Sequence, residues 1–309
     1  MINESAITLK QLRALIAIKE QGSLSAAADS LGLTPPAVST QLRLLEENLG
    51  SKLLLRGNDG KTAMTASGEE VLRSTRQVEA SLNACYERVK SIRLGKFGYL
   101  SVGVVSTGKY FAPALVSAFQ NDNKDIQVGL KIGNREEIIS FVSDGTVDLA
   151  IMGRPPRSPG IESEILGPHP HIIVAPKGHP LAGACDVSPK ALLDETFLTR
   201  EQGSGTRILM ERLLDRIGDG QIYHTVLMGS NETIKQAVIA GMGVAFISAH
   251  TVSNELADGR LVQIRTEGVP IFRQWFLIHR RDLPLTAVTQ KFHEFALKNI
   301  TKFLPAFAS

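Results

Sequence analysis

The run Gly203-Ser204-Gly205-Thr206-Arg207, within LTREQGSGTRILMERLL, concentrates ligand-binding chemistry in five residues. Its glycines allow backbone to approach a ligand closely, its hydroxyls can donate, and its guanidinium offers a two-pronged fork to phosphate or carboxylate. Ser204 stands where a helix N-cap is expected, with Thr206 and Arg207 in the first turn. Free N–H groups and the positive end of the helix dipole would then face the same point. Three further strand-to-helix turns have this character: Ser106, Thr107 and Gly108 after Val105; Gly133 and Asn134; and Ser230, followed by Glu232 and Thr233. Arg154, after AIMG, could add a second guanidinium, and Met242 in AGMGVAF an apolar wall. Any one of these caps could exist for stability alone, at about 1 kcal/mol. The coincidence in GSGTR favours a ligand, and convergence of the turns would make an anion site.

Catalysis lacks a matching pattern. Gln202 stands where G-x-S-x-G needs its first glycine, Gly103–Lys109 matches G-x-x-x-x-G-K but is followed by Tyr110 where a phosphate-binding loop needs Ser or Thr, and no G-x-G-x-x-G joins a strand to a helix. The histidines at 169, 171, 179, 224, 250, 279 and 293 include no H-E-x-x-H, and the His169-Pro170-His171 run is expected in a crossover loop in a structural role. Cys85 and Cys185 form no C-x-x-C pair. No catalytic residue, metal or cofactor is expected. A chain of 309 residues, 43% hydrophobic, has room for two or three domains with real cores. No run approaches the roughly 18 apolar residues of a membrane span, and the N-terminus does not read as a signal peptide, so a cytoplasmic protein without a membrane partner is expected.

The elements at the N-terminus are short and closely spaced. Leu9, Leu12, Leu15, Ile16 and Ile18 mark a first helix capped by Thr8 and ending near Gly22. Ser25 is expected to cap a second through Leu31, stopped by Gly32, and Thr34 a third, with Pro35 and Pro36 in its first turn. Val38, Leu42, Leu45 and Leu49 form the third helix's buried stripe and leave Ser39, Thr40 and Arg43 outside. This is the helix-turn-helix arrangement, whose second member enters the major groove of double-stranded DNA. LLLRGNDGKTAMTASG adds a hairpin wing with Arg56 and Lys61 flanking its tip, placed to reach phosphates or the minor groove. Charge alone carries no such argument, because seven Lys and Arg face six Asp and Glu between Met1 and Ala66. From Ser67 to about Leu94 one long helix carries Val71, Val78, Leu82, Cys85, Val89 and Ile92 as a seam for a second copy.

The segment GSLSAAADSLGLTPPAVSTQLRLLEENLGSKLLLR, followed by TASG and the long helix, resembles the winged headpiece of LysR-type transcriptional regulators. AA-x-x-L, P-A-V-S, Q-L-x-x-LE-x-x-LG and L-x-x-R appear in order at fixed spacing. Pro35 and Thr40 depart from the glutamine and arginine common in that family, both on the DNA-facing turn. LTPPAVS and the RE-x-GSGTR run are similar to the subgroup that regulates carbon-fixation operons. The resemblance implies an effector cleft lined by the Glu201–Arg207 loop and a small phosphorylated or carboxylated effector. It also implies a homodimer or homotetramer on an interrupted palindromic operator, with DNA bending altered when the effector binds.

After Gly98, short apolar runs alternate with helical patterns, which predicts an α/β architecture with a largely parallel sheet. The expected organisation is a winged helix-turn-helix at 1–66, a linker and dimerisation helix at 67–95, and a two-lobed periplasmic-binding-protein-like effector domain at 96–309. Lobe I would take 96–167 and 268–309, and lobe II 168–267, with crossings near Gly167 and Glu267. The reading is a regulator; the alternative is a solute-binding or enzyme module that uses its headpiece only to oligomerise.

Overall fold

The computed structural model describes residues 6–56, 62–93, 96, 98–158, 160–184 and 186–307, with backbone only at positions 56 and 62. Two compact units are present, Met1–Tyr86 with Asp144–Thr146, and Glu87–Ser143 with Val147–Ser309.

In the first unit α1 (Leu9–Gln21), α2 (Leu24–Leu31) and α3 (Pro35–Leu49) close on Leu15, Ile18, Ala27, Ala28, Val38 and Leu45, all fully buried. Thr8 caps α1 through a reciprocal box with Gln11. The cap of α2 is Ser23 and not the expected Ser25: its hydroxyl accepts from the Ala26 N–H, and starting two residues earlier puts Leu24 on the face of Ala27 and Ala28. Gly32 ends α2 in the left-handed conformation. Thr34 holds the N-cap position of α3, although its hydroxyl makes no capping bond. The wing strands β1 (Leu54–Arg56) and β2 (Thr62–Met64) pair antiparallel; the tight turn expected at Asn58 to Gly60, and Lys61, lie outside the described residues. Glu46, 9% exposed, fixes the approach to the wing by accepting from Lys52 Nζ at 2.7 Å and from the Leu53 and Leu54 N–H groups at 2.9 and 3.4 Å. Then α4 (Ala66–Arg93) begins, capped by the Thr65 hydroxyl, which accepts from Gly68 N–H at 2.9 Å. A Cβ at Gly68 would stand 2.1 Å from the Leu53 carbonyl oxygen, so only glycine lets this helix seat there.

The second unit is organised by one sheet that runs through both lobes. Its strands are β3 (Gly98–Val105), β4 (Ile126–Gly133), β5 (Leu149–Met152), β6 (Ile161–Pro176), β9 (Ala245–Ser248), β10 (Leu261–Ile264) and β11 (Ile271–Arg280), in the order β10-β6-β11-β5-β3-β4 with β9 also on β6. Separately, β7 (Thr196–Thr199) and β8 (His224–Leu227) pair in parallel. The helices are α5 (Ala112–Asp122), α6 (Arg135–Ser143), α7 (Pro189–Leu193), α8 (Gly205–Gly218), α9 (Asn231–Ile239), α10 (Ser253–Ala257) and α11 (Ala287–Asn299). The sheet is mixed, which corrects the largely parallel expectation. β3 runs parallel to β4 and β5, but β11 is antiparallel to both β5 and β6.

The cause is the crossing between lobes, which is a ribbon of β6 and β11 paired along its whole length with a bulge at Trp275/Phe276. Strand patterns specify a buried face, not a direction. His169-Pro170-His171 therefore lies in a strand and not in a crossover loop. Pro168 and Pro170 are tolerated because β9 and β10 pair with β6 only from His171 onward, so the missing N–H groups face an unpaired edge. Val269 and Ile271 pack with the core of the second lobe, while Trp275, Leu277 and Ile278 belong to the first. The return crossing thus falls several residues after the expected Glu267, and the outward one pairs Gly167 with Trp275. Trp275 is fully buried and packs edge-on against Phe111 at 5.0 Å, a geometry worth about 0.5–1.5 kcal/mol beyond its buried area.

Candidate ligand cleft and nucleic-acid interface

A cavity of about 690 Å³ opens between the two lobes of the second unit. The carboxyl ends of β3, β4 and β5 bring Ser106, Thr107, Asn134, Arg135, Gly153 and Arg154 to it. The start of α8 brings Ser204, Gly205 and Thr206, and the next turns of the same helix face add Ile208, Leu209 and Arg212. The β6/β11 ribbon supplies His169, His171, Phe272, Arg273, Gln274 and Phe276. Four arginines therefore line the cavity and no carboxylate does. Arg154, Arg212 and Arg273 form no ion pair among the described residues. Arg135 donates to the Arg154 carbonyl oxygen, and burial, with the charge of Arg154 beside it, holds its pKa below that of a free guanidinium. Thr107, Ser204 and Thr206 are buried residues of this lining, and their hydroxyls make no hydrogen bond to described residues. Donors are thus in excess, and what would satisfy them is an acceptor-rich, negatively charged molecule.

The lobes also touch directly. Arg200, 4% exposed, donates to Ser106 Oγ at 3.1 Å across the cleft, to Asn231 Oδ1 at 2.5 Å, and forks onto Glu201 at 2.6 and 2.7 Å. Burial pushes the Glu201 carboxyl up, and its bonds to Arg200 outweigh this and leave it below the usual carboxylate range. Tyr110 donates to Glu232, which also pairs with Lys109 at 3.4 Å and Lys235 at 3.1 Å. Burial, and then the Glu232 carboxylate, push the Tyr110 hydroxyl far above its ordinary pKa, so it remains a donor. The Gly203 carbonyl oxygen accepts from the Glu136 N–H at 3.3 Å, and a Cβ at Gly203, where φ is 84°, would stand 2.7 Å from Glu136 Oε2.

Of the residues named from sequence, Ser106, Thr107, Asn134, Arg154, Ser204, Gly205 and Thr206 line this one cavity. The turn after Val105 is a 3-10 turn, Ser106–Tyr110, with α5 starting at Ala112 and not directly after the glycine. Arg207 points elsewhere: Nε donates to Glu211 Oε1 at 2.7 Å and Nη1 to the Arg200 carbonyl oxygen at 3.4 Å. Gly133 packs on Glu137, Glu201 is engaged by Arg200, and Met242 is 54% exposed outside the lining. Sequence reasoning missed Arg135, Arg212, Arg273 and the two histidines. Arg212 was within reach, since Gly205, Ile208, Leu209 and Arg212 repeat at threes and fours along one face of α8. Arg273 carried no such signal, because only the crossing of β11 brings it here.

In the first unit Thr34, Pro35, Pro36 and Thr40 are exposed at the N-terminal end of α3 and Ser39 is half-buried beside them. Arg43 is exposed and pairs with Glu47 at 2.6 Å. Of Arg56 only the backbone in β1 is described, and Lys61 lies outside the described residues. Thus α3 keeps a small hydroxyl-bearing surface free while Val38, Leu42 and Leu45 are buried behind it. Along α4, Val78, Leu82, Cys85, Val89 and Ile92 are all exposed at spacings of four and three, the pattern of a helix-pairing seam.

Comparison with known proteins gives two family matches: a bacterial regulatory helix-turn-helix protein of the lysR family over residues 9–69 and a LysR substrate binding domain over 95–301. The chain is 48% identical over 306 residues to the HTH-type transcriptional regulator CbbR of Cereibacter sphaeroides, covering 99% of each chain. It is 38% identical to the RuBisCO operon transcriptional regulator of Allochromatium vinosum, covering 96% of this chain and 97% of that one. Among solved structures, the Synechocystis PCC6803 CcmR regulatory domain in complex with 2-PG matches with a TM-score of 0.62 and 34% identity, over 68% of this chain and all of that domain. Full-length CbnR complexed with its target DNA matches with a TM-score of 0.62 at 21% identity, over 94% of this chain and 99% of that one, a likeness of fold.

Proposed function

Because the chain belongs to the LysR family of helix-turn-helix transcriptional regulators, we propose that it binds an operator upstream of carbon-fixation genes and senses a small anionic metabolite in its interlobe cleft. The observation that carries the sensing half is a cavity of about 690 Å³ with four arginines, free hydroxyls and no carboxylate in its lining. The identities of 48% and 38% to named regulators support the carbon-fixation assignment, and the 2-PG complex of the 34% identical CcmR domain supports a small anion. In this reading residues 1–66 form the DNA-binding headpiece, 67–95 the pairing helix and 96–309 the sensor. Thr34, Pro35, Pro36, Ser39, Thr40 and Arg43 face the major groove, and Arg56 and Lys61 reach phosphates or the minor groove.

Two copies paired through α4 place two headpieces on an interrupted palindrome, and a dimer of dimers extends the site. Closing the lobes on an anion shifts how the sensors pack and so alters DNA bending. The protein acts in the cytoplasm; among the described residues no helix is long and apolar enough to cross a membrane. Anisotropy titration of the upstream DNA of its own gene, with and without phosphorylated metabolites and in parallel with a thermal-shift screen, tests both halves. Salt-resistant preference for that DNA over random sequence, and stabilisation by anions, are the expected results. Equal affinity for random DNA would remove the operator assignment, and stabilisation by apolar ligands alone would remove the anion.

A further inference from the structure

The floor of the cleft carries a polar element that charge recognition does not use. His171 lines the cavity and is 2% exposed, stacked on Phe246 at 5.6 Å and tilted against His169 at 4.2 Å. Its Nδ1 lies 3.2 Å from the His169 carbonyl oxygen. A carbonyl only accepts, so Nδ1 carries the proton. Burial pushes the His171 imidazole down to about 3, so at neutral pH Nε2 is a bare lone pair. That nitrogen has no hydrogen-bond partner among the described residues. A second orphan lies beside it: Nδ1 of His169, 3% exposed, is buried without a partner, and a Cβ on the cavity-lining Gly153 would stand 3.1 Å from it. His169 itself is held by Ser248 Oγ at 3.0 Å and by stacking on Trp275 at 3.8 Å. The arginines and helix hydroxyls are donors, whereas the His171 Nε2 is an acceptor and repels a bare phosphate or carboxylate oxygen. A molecule that satisfies the whole lining must therefore bring a hydrogen to donate as well as negative charge.

We infer that the cleft selects a hydroxylated anion, its charged group held by the arginines and the start of α8 and one of its hydroxyls donating to the Nε2 of His171. This rests on the anion reading above and narrows it. An analogue without the hydroxyl leaves a buried acceptor unpaired and should bind roughly 10- to 100-fold more weakly. Calorimetry on the full chain at pH 7.5 with matched pairs decides it: 3-phosphoglycerate against 3-phosphopropionate, and glycerol 3-phosphate against propyl phosphate. The expected result is a preference of about tenfold or more for the hydroxylated member of a pair. His171→Phe should abolish that preference while leaving the hydroxyl-free member within about threefold, and His171→Asn, which keeps an acceptor, should restore part of it. Equal binding of both members by the wild type overturns the inference even if neither variant folds, and so does a preference that survives in His171→Phe. Failure of every anion to bind overturns the anion reading itself, a distinct outcome.

Discussion

At the scale of single residues, the cleft separates arginines that look alike in sequence. Arg212 is exposed toward the cavity without a carboxylate partner, whereas Arg207, five positions earlier, is clamped by Glu211. A charge-assisted bond to a bound anion is worth about 1.5–3 kcal/mol. Arg212→Ala should therefore weaken effector binding about tenfold or more, and Arg207→Ala by less than about threefold, in calorimetric titration of the full chain with the anion that stabilises it. The reverse ranking would return Arg207 to the site. Glu46 carries a different lesson. Burial raises its pKa, but Lys52 and the two backbone N–H groups together outweigh this and hold it below the usual glutamate value of 4.5. Its contribution to stability is thus complete above that value and lost as pH falls through the lower folded one. Glu46→Gln should cost about 1–3 kcal/mol at pH 7, and urea titrations should show the gap to wild type closing as pH falls below the usual glutamate range.

At the scale of elements, α4 has no chemistry of its own and a face that one chain leaves bare. Val78 and Leu82 are each 41% exposed, Val89 51% and Ile92 68%, and a stripe of that length is stable when a second helix covers it. Val78→Asp or Leu82→Asp puts an unpaired charge into the proposed seam and should lower the mass measured by light scattering to that of a smaller oligomer or the single chain. A full-size oligomer from both variants would place the seam elsewhere. Cys85 shares this face, where a small apolar side chain suffices. For α3, exposed Thr34 to Pro36 and half-buried Ser39 fit base-edge reading. Ser39→Ala should weaken operator binding in anisotropy assays while random-sequence binding stays within about twofold. Equal losses on both DNAs would remove it from readout.

For the molecule as a whole, the crossing ribbon brings His169 and His250 onto Trp275, whose indole N–H donates to His250 Nδ1 at 3.1 Å, and sets His171 against His169. Burial holds all three below the ordinary histidine value, His171 at about 3 and His250 at about 4. The unfolded chain takes up these protons as pH falls below about 6.5 while the folded sensor does not, so stability must fall with pH from there. Each histidine contributes a slope of about 1.4 kcal/mol per pH unit. Urea unfolding of the sensor transition between pH 4 and 7 should show this decline, and His171→Phe should make it shallower by about one proton. A flat profile would mean that the imidazoles are hydrated. The sequence by itself determined most of the local parts: the Thr8 cap, the glycine turn, the stripe behind Ser39, the bare face of α4, and the polar helix starts at Ser204 and Asn134. These follow from spacing along one chain, because capping and amphipathic faces are short-range. Tertiary structure alone decided the direction of the strands, the strand that holds His169 and His171 despite two prolines, and which arginines share a cavity. Those outcomes depend on β6 and β11 pairing across about a hundred residues, and no local pattern encodes which distant partner a strand will meet.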